Sequence, residues 1–591
     1  MMKKIFLLAF VLVLLSLTIF EAQFVEPLKA TGEPPIEVWT DYTLDRDISF
    51  SGDGFIIKAD NVVLNLNGHT INGSGGTYGT NTAGVIIPFS WDGIYAVTIK
   101  NGVIKNFEYG VKLEQCSECA ITNITFTQNL YGVHQTWTFS SGNVIRNNTI
   151  LNNTNGIELL GGDNNTISEN IMANEVDNIL IGGTGNNIVS DNIVTDGYGG
   201  INLGSGHNTL RNNFLANNRH NIASCTYWSW TGNPLHLFIQ DIDTSNTVDG
   251  KPIYYLVNES NVVIDSFAFP EVGYLGLVNC KNITARNLNL AENFEGILLA
   301  YTNDSVLENL HLRNNLNGIL LYNSSRNIIT MNVVERTDYS GNGIVLTDSN
   351  FNTISGNMML TLGTGVRIIN SNNNTLYHNN IFGSLAWVDP YYEATNEWDN
   401  GYPSGGNYWS DRVYVNVDLH SGPNQDETGS DGISDIAYSI NANNTDRFPL
   451  MGPIGFFNAC IWDETTYYVH KVSNSTVSDF YFSRDDKLVS FNVNGTVDTV
   501  GFCRVTIPRE LMWCDAPEEW NVTVNGNPPT HLKAMEDADY TYLYFTYNHS
   551  IQEVQIKSVH VIPEFPSFLI LPLFMITTLL AVIIYRRKHS M

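Results

Sequence analysis

The chain has 591 residues, with 59 acidic side chains against 30 basic ones and a formal net charge of −29. So large an excess of one sign argues against a nucleic-acid partner, whose phosphates need Lys and Arg. The length exceeds one ordinary domain unless the chain is a repeat array. Charged residues are only 15% of the chain, and Asn, Ser and Thr carry much of the polarity, as in exported proteins.

The N-terminus has the form of a secretory signal. Met1-Met2-Lys3-Lys4 is basic and Ile5–Phe20 is apolar, which assigns residues 1–30 to a signal peptide. A Pro- and Glu-rich linker follows. Residues 36–384 then read as a right-handed parallel β-helix. The grammar is clearest in Asn153–Asn218, where three units of similar length repeat short apolar-x-apolar steps separated by Asn. Period-two steps are strands, and units too small to bury a face alone must stack. Asn pairs five apart mark the register: Asn143/Asn148, Asn165/Asn170, Asn187/Asn192, Asn208/Asn213, then Asn282/Asn287, Asn327/Asn332, Asn352/Asn357 and Asn374/Asn379, with Asp304/Asn309 filling the gap. Asn tolerates left-handed corners and can stack as a ladder. A recurrent Gly at 110, 132, 156, 200, 296, 318, 343 and 365 is expected to relieve a tight corner.

The register fails twice. The first break, an irregular insert at 224–272, carries Tyr227, Trp228 and Trp230 beside Asp241 and Asp243. Aromatic faces next to polar groups suit sugar stacking, so these five residues are the glycan-binding candidates. The second, 385–451, is rich in Trp, Tyr and Asp and is expected to cover the open end of the coil stack. Its Asp426 and Asp431-Gly-Ile-Ser-Asp435, with Asp411 and Asp418, are candidate ligands for a structural calcium, which takes six to eight oxygens in flexible loops.

Residues 455–562 alternate over longer runs, with hairpin signals at Asn494-Gly495 and Asn525-Gly526, and read as a small β-sandwich. Cys503 and Cys514 fall in neighbouring expected strands, close enough to pair; Cys116-Ser-Glu-Cys119 sits among the coils, without a partner motif for zinc or thioredoxin chemistry. A stiff spacer, 563–567, leads to an apolar run at 568–585 and a basic tail at 586–591. That run is long enough to cross a bilayer, with the basic tail inside. The expected location is therefore the cell membrane, single-pass, with the bulk of the chain extracellular. Many Asn-x-Ser/Thr sequons would be open to glycosylation there.

Several blocks are specific. Asp241–Tyr255, Gly406-Asn-Tyr-Trp-Ser-Asp411 and Asn61–Ile71 resemble the NosD-type β-helix family, also called carbohydrate-binding and sugar-hydrolysis repeats. Gly501–Pro508, Phe545–Ser550 and the Pro563–Ser567 spacer are similar to modules and tails of archaeal surface proteins. The family name implies copper delivery. Copper sites favour clustered His, Cys and Met, whereas His69, His134, His207, His220, His236, His311 and His378 are scattered, so copper is disfavoured. Carbohydrate cleavage would need convergent carboxylates, and Glu158, Glu169, Asp191, Glu308 and Glu335 read as single solvent-facing groups. The leading expectation is an all-β, membrane-anchored surface protein that binds polysaccharide or a surface glycan, or serves the envelope or adhesion. The alternatives are a polysaccharide lyase or glycoside hydrolase on the same scaffold and a NosD-like copper-site assembly factor.

Overall fold

The computed structural model describes residues 32–136, 140–173, 175–183, 185–224, 232–335, 341–360, 363–383, 385–412 and 417–562. The signal segment 1–30 and the apolar run 568–585 lie outside them, and no helix among the described residues is long and apolar enough to cross a membrane. The chain divides into two compact units, Met1–Asn213 and Phe214–Met591. Strands dominate both, and the described helical content is three short 3-10 turns.

The first unit is a parallel β-solenoid of the right-handed type. Strands Tyr109–Leu113, Tyr131–Gln135, Asn155–Leu159, Asp177–Ile181 and Gly199–Leu203 are successive rungs of one sheet. Val111, Val133, Ile157, Ile179 and Ile201 stand opposite one another on these rungs and are buried. Each rung is too short to close a core. The column of branched side chains closes it collectively.

Asn supplies the second ordering element. Asn148 N–H donates to Asn170 Oδ1 at 3.0 Å, Asn170 N–H to Asn192 Oδ1 at 3.0 Å, and Asn192 N–H to Asn213 Oδ1 at 3.2 Å. Their side-chain amides donate onward to the same oxygens and back to the carbonyls of Ile121, Ile145 and Ile167. A parallel column runs through Asn143, Asn165, Asn187 and Asn208. These Asn are buried and satisfied, as buried amides must be. They are not the left-handed corner residues. Positive φ falls one position earlier, at Asn147, Asn164, Glu169, Asn186 and Asp191. The recurrent Gly also has another cause. A Cβ at Gly110, Gly132 or Gly156 would lie 2.4–2.6 Å from the facing carbonyl of the next coil, so close approach of backbones excludes a side chain there.

The second unit repeats the design. Lys251–Val257, within the stretch expected to be irregular, pairs in parallel with Tyr274–Val278 and is already a regular rung. The sheet continues through Glu295–Ala300, Asn317–Tyr322, Asn342–Thr347 and Thr364–Ile369. Two ladders run through it: Asn327, Asn352, Asn374, Asn396, and Asn332, Asn357, Asn379, Asn407. Asn282, Asn287, Asp304 and Asn309 are corrected by one position, since they take the positive-φ corner, and Ser305 occupies the ladder site.

Both ladders end on one hairpin, Tyr438–Asn441 with Asn444–Asp446. Asn444 Oδ1 accepts Asn396 N–H at 3.0 Å and Trp398 Nε1–H at 3.1 Å. Asp446 Oδ2 accepts Asn407 N–H and Trp409 Nε1–H, both at 2.8 Å. Trp409 stacks on Tyr438 at 4.1 Å. The block 406–411 thus terminates the stack. Beyond it, an antiparallel sheet of Ile454–Trp462, Thr465–Ser473, Val500–Pro508, Tyr540–Asn548 and His531–Glu536 packs with a second one of Thr476–Ser483, Leu488–Asn494, Gln552–Lys557 and Asn521–Val524. Cys503 and Cys514 are both free thiols in it. Cys503 Sγ lies 3.3 Å from Ser473 Oγ, and Cys514 Sγ accepts Val559 N–H.

Two outcomes follow from the ladders. Asn357→Ala leaves the buried Asn332 N–H without its acceptor and the Ile329 carbonyl without its donor. The expected loss is about 2–6 kcal/mol, two unsatisfied groups at roughly 1–3 kcal/mol each, measurable by chemical denaturation. Burial pushes the Asp446 carboxyl up to about 7 from its usual 3.8, against the pull of its N–H donors. An acid with a raised folded-state pKa binds more protons folded than unfolded, so its contribution is lost as pH rises through about 7. Stability of the wild type relative to Asp446→Asn should therefore fall between pH 5 and pH 8. A flat difference would show that Asp446 does not titrate there.

Candidate functional site

Tyr227, Trp228 and Trp230 lie outside the described residues. Asp241 is exposed, and Asp243 closes a local turn by accepting Ser245 N–H at 3.0 Å. The neighbouring part of the insert lies on the coils: Asn233 N–H donates to Tyr322 OH, Tyr301 OH donates to Asn233 O at 2.8 Å, and the Phe238 ring packs 5.0 Å from Tyr322.

Of the five candidate calcium ligands in the cap, Asp418, Asp431 and Asp435 lie near one another, and Asp411 and Asp426 lie apart. Asp418 accepts Asp431 N–H at 3.0 Å and Gly432 N–H at 2.9 Å, and Asp435 accepts Leu419 N–H and His420 N–H and lies 2.9 Å from His420 Nδ1. Burial, then the charges of Asp431 and Asp435, push Asp418 up to about 7 despite its two donors. Asp411 instead meets Tyr438 OH at 3.2 Å, and Asp426 is exposed. The buried Arg504 donates from Nε to Asp431 O at 3.1 Å. The three carboxylates thus shape the loop through its own N–H groups.

A different cluster stands out on the outward face of the first unit, within the regular coils. Lys112, His134 and Glu158 occupy one register column on three successive rungs, and Tyr109, Tyr131, Asn155 and Asp177 occupy the neighbouring column. The Tyr109 and Tyr131 rings stack 5.2 Å apart at 12°. His134 packs on both, at 5.0 and 4.8 Å, and its Nδ1 lies 2.9 Å from Glu158 Oε2. Lys112 Nζ stands 4.9 Å over Tyr109 and pairs with Glu114 at 3.0 Å. Glu108 flanks the tyrosines. Burial pushes it up, but the backbone N–H groups of Asn81 and Gly79 and the Thr80 hydroxyl hold it below the usual carboxylate range.

The electrostatics are uneven across this face. Burial first, then the charge of Glu158, raise Asp177. Burial and the charge of Glu108 raise Tyr109, which stays a neutral phenol. With Nδ1 of His134 engaged by Glu158, Nε2 is the ring atom left for a ligand or a proton. The face therefore combines aromatic area, a polarised imidazole and carboxyls in two protonation environments. Glu158 was expected to be a single solvent-facing group. It is instead mostly buried and paired. Glu169 and Glu335 do stand apart, each bridged to one neighbour, Arg146 and His311. The signal was present in the sequence as Gly-Val-Lys112, Gly-Val-His134 and Gly-Ile-Glu158, the same coil position in three consecutive repeats.

Fold and face define an all-β solenoid with an outward aromatic and acid–base surface. The chain belongs to the NosD family: the model of periplasmic copper-binding protein (NosD) matches residues 46–240 and 226–413, more than half of its length. No curated protein matches the sequence. Solved structures that resemble it include the A-module of the mannuronan C-5 epimerase AlgE4 from Azotobacter vinelandii (15% identity, 61% of this chain and 89% of that one, TM-score 0.25). Others are a tailspike mutant of E. coli bacteriophage HK620 (10%, 89% and 87%, 0.33) and the DFA-IIIase of Arthrobacter chlorophenolicus A6 (11%, 54% and 83%, 0.26).

The family description names copper, a metal that favours clustered His, Cys and Met. Among the described residues no three His, Cys, Asp or Glu side chains gather as a metal group. The neighbouring sulfur pair, Cys116 and Cys119, is buried, and both are free thiols.

Proposed function

We propose that this NosD-family protein binds a glycan outside the cell, on the outward face of its first solenoid unit. The observation that carries this reading is the stacked Tyr109–Tyr131 pair with His134 and Glu158 beside it. Flat aromatic area gives a sugar ring its apolar contact, and a few polar groups fix its orientation. The face is built on rigid rungs, so little ordering cost falls on the protein. The insert aromatics Tyr227, Trp228 and Trp230 form a second contact region in this proposal, and the run at 568–585 is the membrane anchor that keeps the solenoid at the surface.

A glycan array probed with the purified protein tests the binding. Tyr131→Ala should weaken any positive spot about tenfold, since an aromatic contact contributes roughly 0.5–1.5 kcal/mol beyond area. Binding that is unchanged in this variant places the ligand elsewhere, and an empty array argues for an envelope role without a sugar ligand. The anchor is tested separately: the full chain should sediment with membranes after alkaline carbonate, and a chain lacking 563–591 should not.

A further inference from the structure

We propose that the joint between the last coils and the antiparallel sheets is an acid-operated hinge, closed while His378 and His470 are neutral and opened when both take up a proton. The joint lies wholly within the second compact unit. Three observations lead to it.

The first is how the joint is held. Asn380 opens the coil strand Asn380–Phe382 and is buried. Its Oδ1 accepts Ile454 N–H and its Nδ2 donates to Ile454 O, both at 2.8 Å. Two residues further along, the Phe456 ring lies against Gly356, where a Cβ would come within 3.0 Å of it. The cap is gripped separately. Arg504 donates to the carbonyls of Asp431 and Pro403, and Ile433, Leu450 and Val472 share one apolar cluster. The cap side is therefore the pivot, and the Asn380–Ile454 staple is the side that parts.

The second is a cavity of about 190 Å³ beside the Phe456 wedge, walled by His378 from the coils and by His470, Tyr540 and Tyr542 from the sheets. The two imidazoles meet edge to face at 6.2 Å. Tyr377 packs on His378 at 5.0 Å and Phe456 on His470 at 4.7 Å. His378 Nε2 lies 3.0 Å from Ser404 O, so it carries the ring proton and Nδ1 keeps the lone pair. His470 Nδ1 is enclosed without a partner. Two neutral rings fit this space. Two imidazolium ions would each need a further acceptor, and among the described residues no carboxylate lines the cavity.

The third is the charge around the pair. Arg504 stands 4.8 Å over Tyr542, and its charge opposes a proton on His378. Lys471 follows His470 on the same strand, so it faces the other way, toward Cys503. The carboxylates Asp537, Asp539 and Glu510 act on Tyr540, and Asp537 accepts Tyr542 OH at 2.7 Å. Asp399, beside the cavity residue Asn400, is paired with Arg447 at 2.6 Å. Burial pulls His378 down to about 4, against its bond to the Ser404 carbonyl. Burial, then the charge of His378, pull His470 down to about 3.

In an opened joint both rings return toward their ordinary value of about 6.5. Below that value the open state binds more protons than the closed one. Closure is therefore fully present above about pH 6.5 and is lost as pH falls toward 4. Asp418 and Asp446, pushed up to about 7, are largely protonated over this window and change little.

Hydrogen exchange at the Ile454 amide tests the hinge, read by mass spectrometry on the full protein and corrected for the intrinsic pH dependence of exchange. Between pH 7 and pH 4.5 its opening should rise at least about 100-fold, while the coil rung Ile297–Leu299 keeps its protection. Opening should take up about two protons in the wild type and about one in His470→Gln. In the His378→Gln/His470→Gln double variant it should not depend on pH in this window. Equal acid sensitivity in the wild type and the double variant overturns the proposal. So does loss of protection throughout the coils at the same pH, which is acid unfolding and not a hinge. If the double variant does not fold, the proton count decides: a count in His470→Gln equal to the wild type's overturns the proposal.

Discussion

The structure depends on one hydrogen-bonding arrangement, the side-chain amide that bridges consecutive coils. At each turn between strands the chain would strand backbone groups inside the solenoid, where no water reaches them. An Asn placed there accepts the N–H of the residue one coil earlier and donates to that coil's orphaned carbonyl and to its own successor. Asn332, Asn357 and Asn379 do all three. An unmade bond of this kind in a buried site costs about 1–3 kcal/mol, so the column sets register as strictly as the apolar core does. The arrangement also needs an end. Asn444 and Asp446 supply the last acceptors, with Trp398 and Trp409 closing over them.

Much of this could be read from the residues. The five-residue Asn pairs and the period-two steps were enough to define stacked parallel coils, and the change to long alternating runs after 455 matched antiparallel strands. Finer physical causes could not be read. Asn suits both a left-handed corner and a buried ladder, and only coordinates separate Asn164 at the corner from Asn165 in the ladder. Glycine likewise serves both positive φ and close approach, and at Gly110, Gly132 and Gly156 the second reason holds.

The site was harder to read for a reason specific to solenoids. Sequence irregularity draws attention to 224–272 and 385–451, whose described residues include Asn233, bonded to the coil residue Tyr322, and the Asn444 and Asp446 that end the ladders. Residues that act together lie a whole coil apart, so His134 and Glu158, 24 positions apart, look unrelated in the sequence. In-register stacking turns such a column into a continuous surface. The scaffold positions the side chains, and a single changed residue per coil alters what the surface recognises.

The proposed glycan contact is centred on the Tyr109–Asp177 face of the coils, with the insert aromatics as a second region, and lies outside the acidic loop of the cap. A crystal structure of the protein with an oligosaccharide selected by the array tests this most directly. The account predicts a sugar ring against Tyr131 with a hydroxyl within hydrogen-bond reach of His134 or Glu158. A ligand seated on Asp241–Asp243 or on the Asp418–Asp435 loop, with the coil face empty, would contradict it.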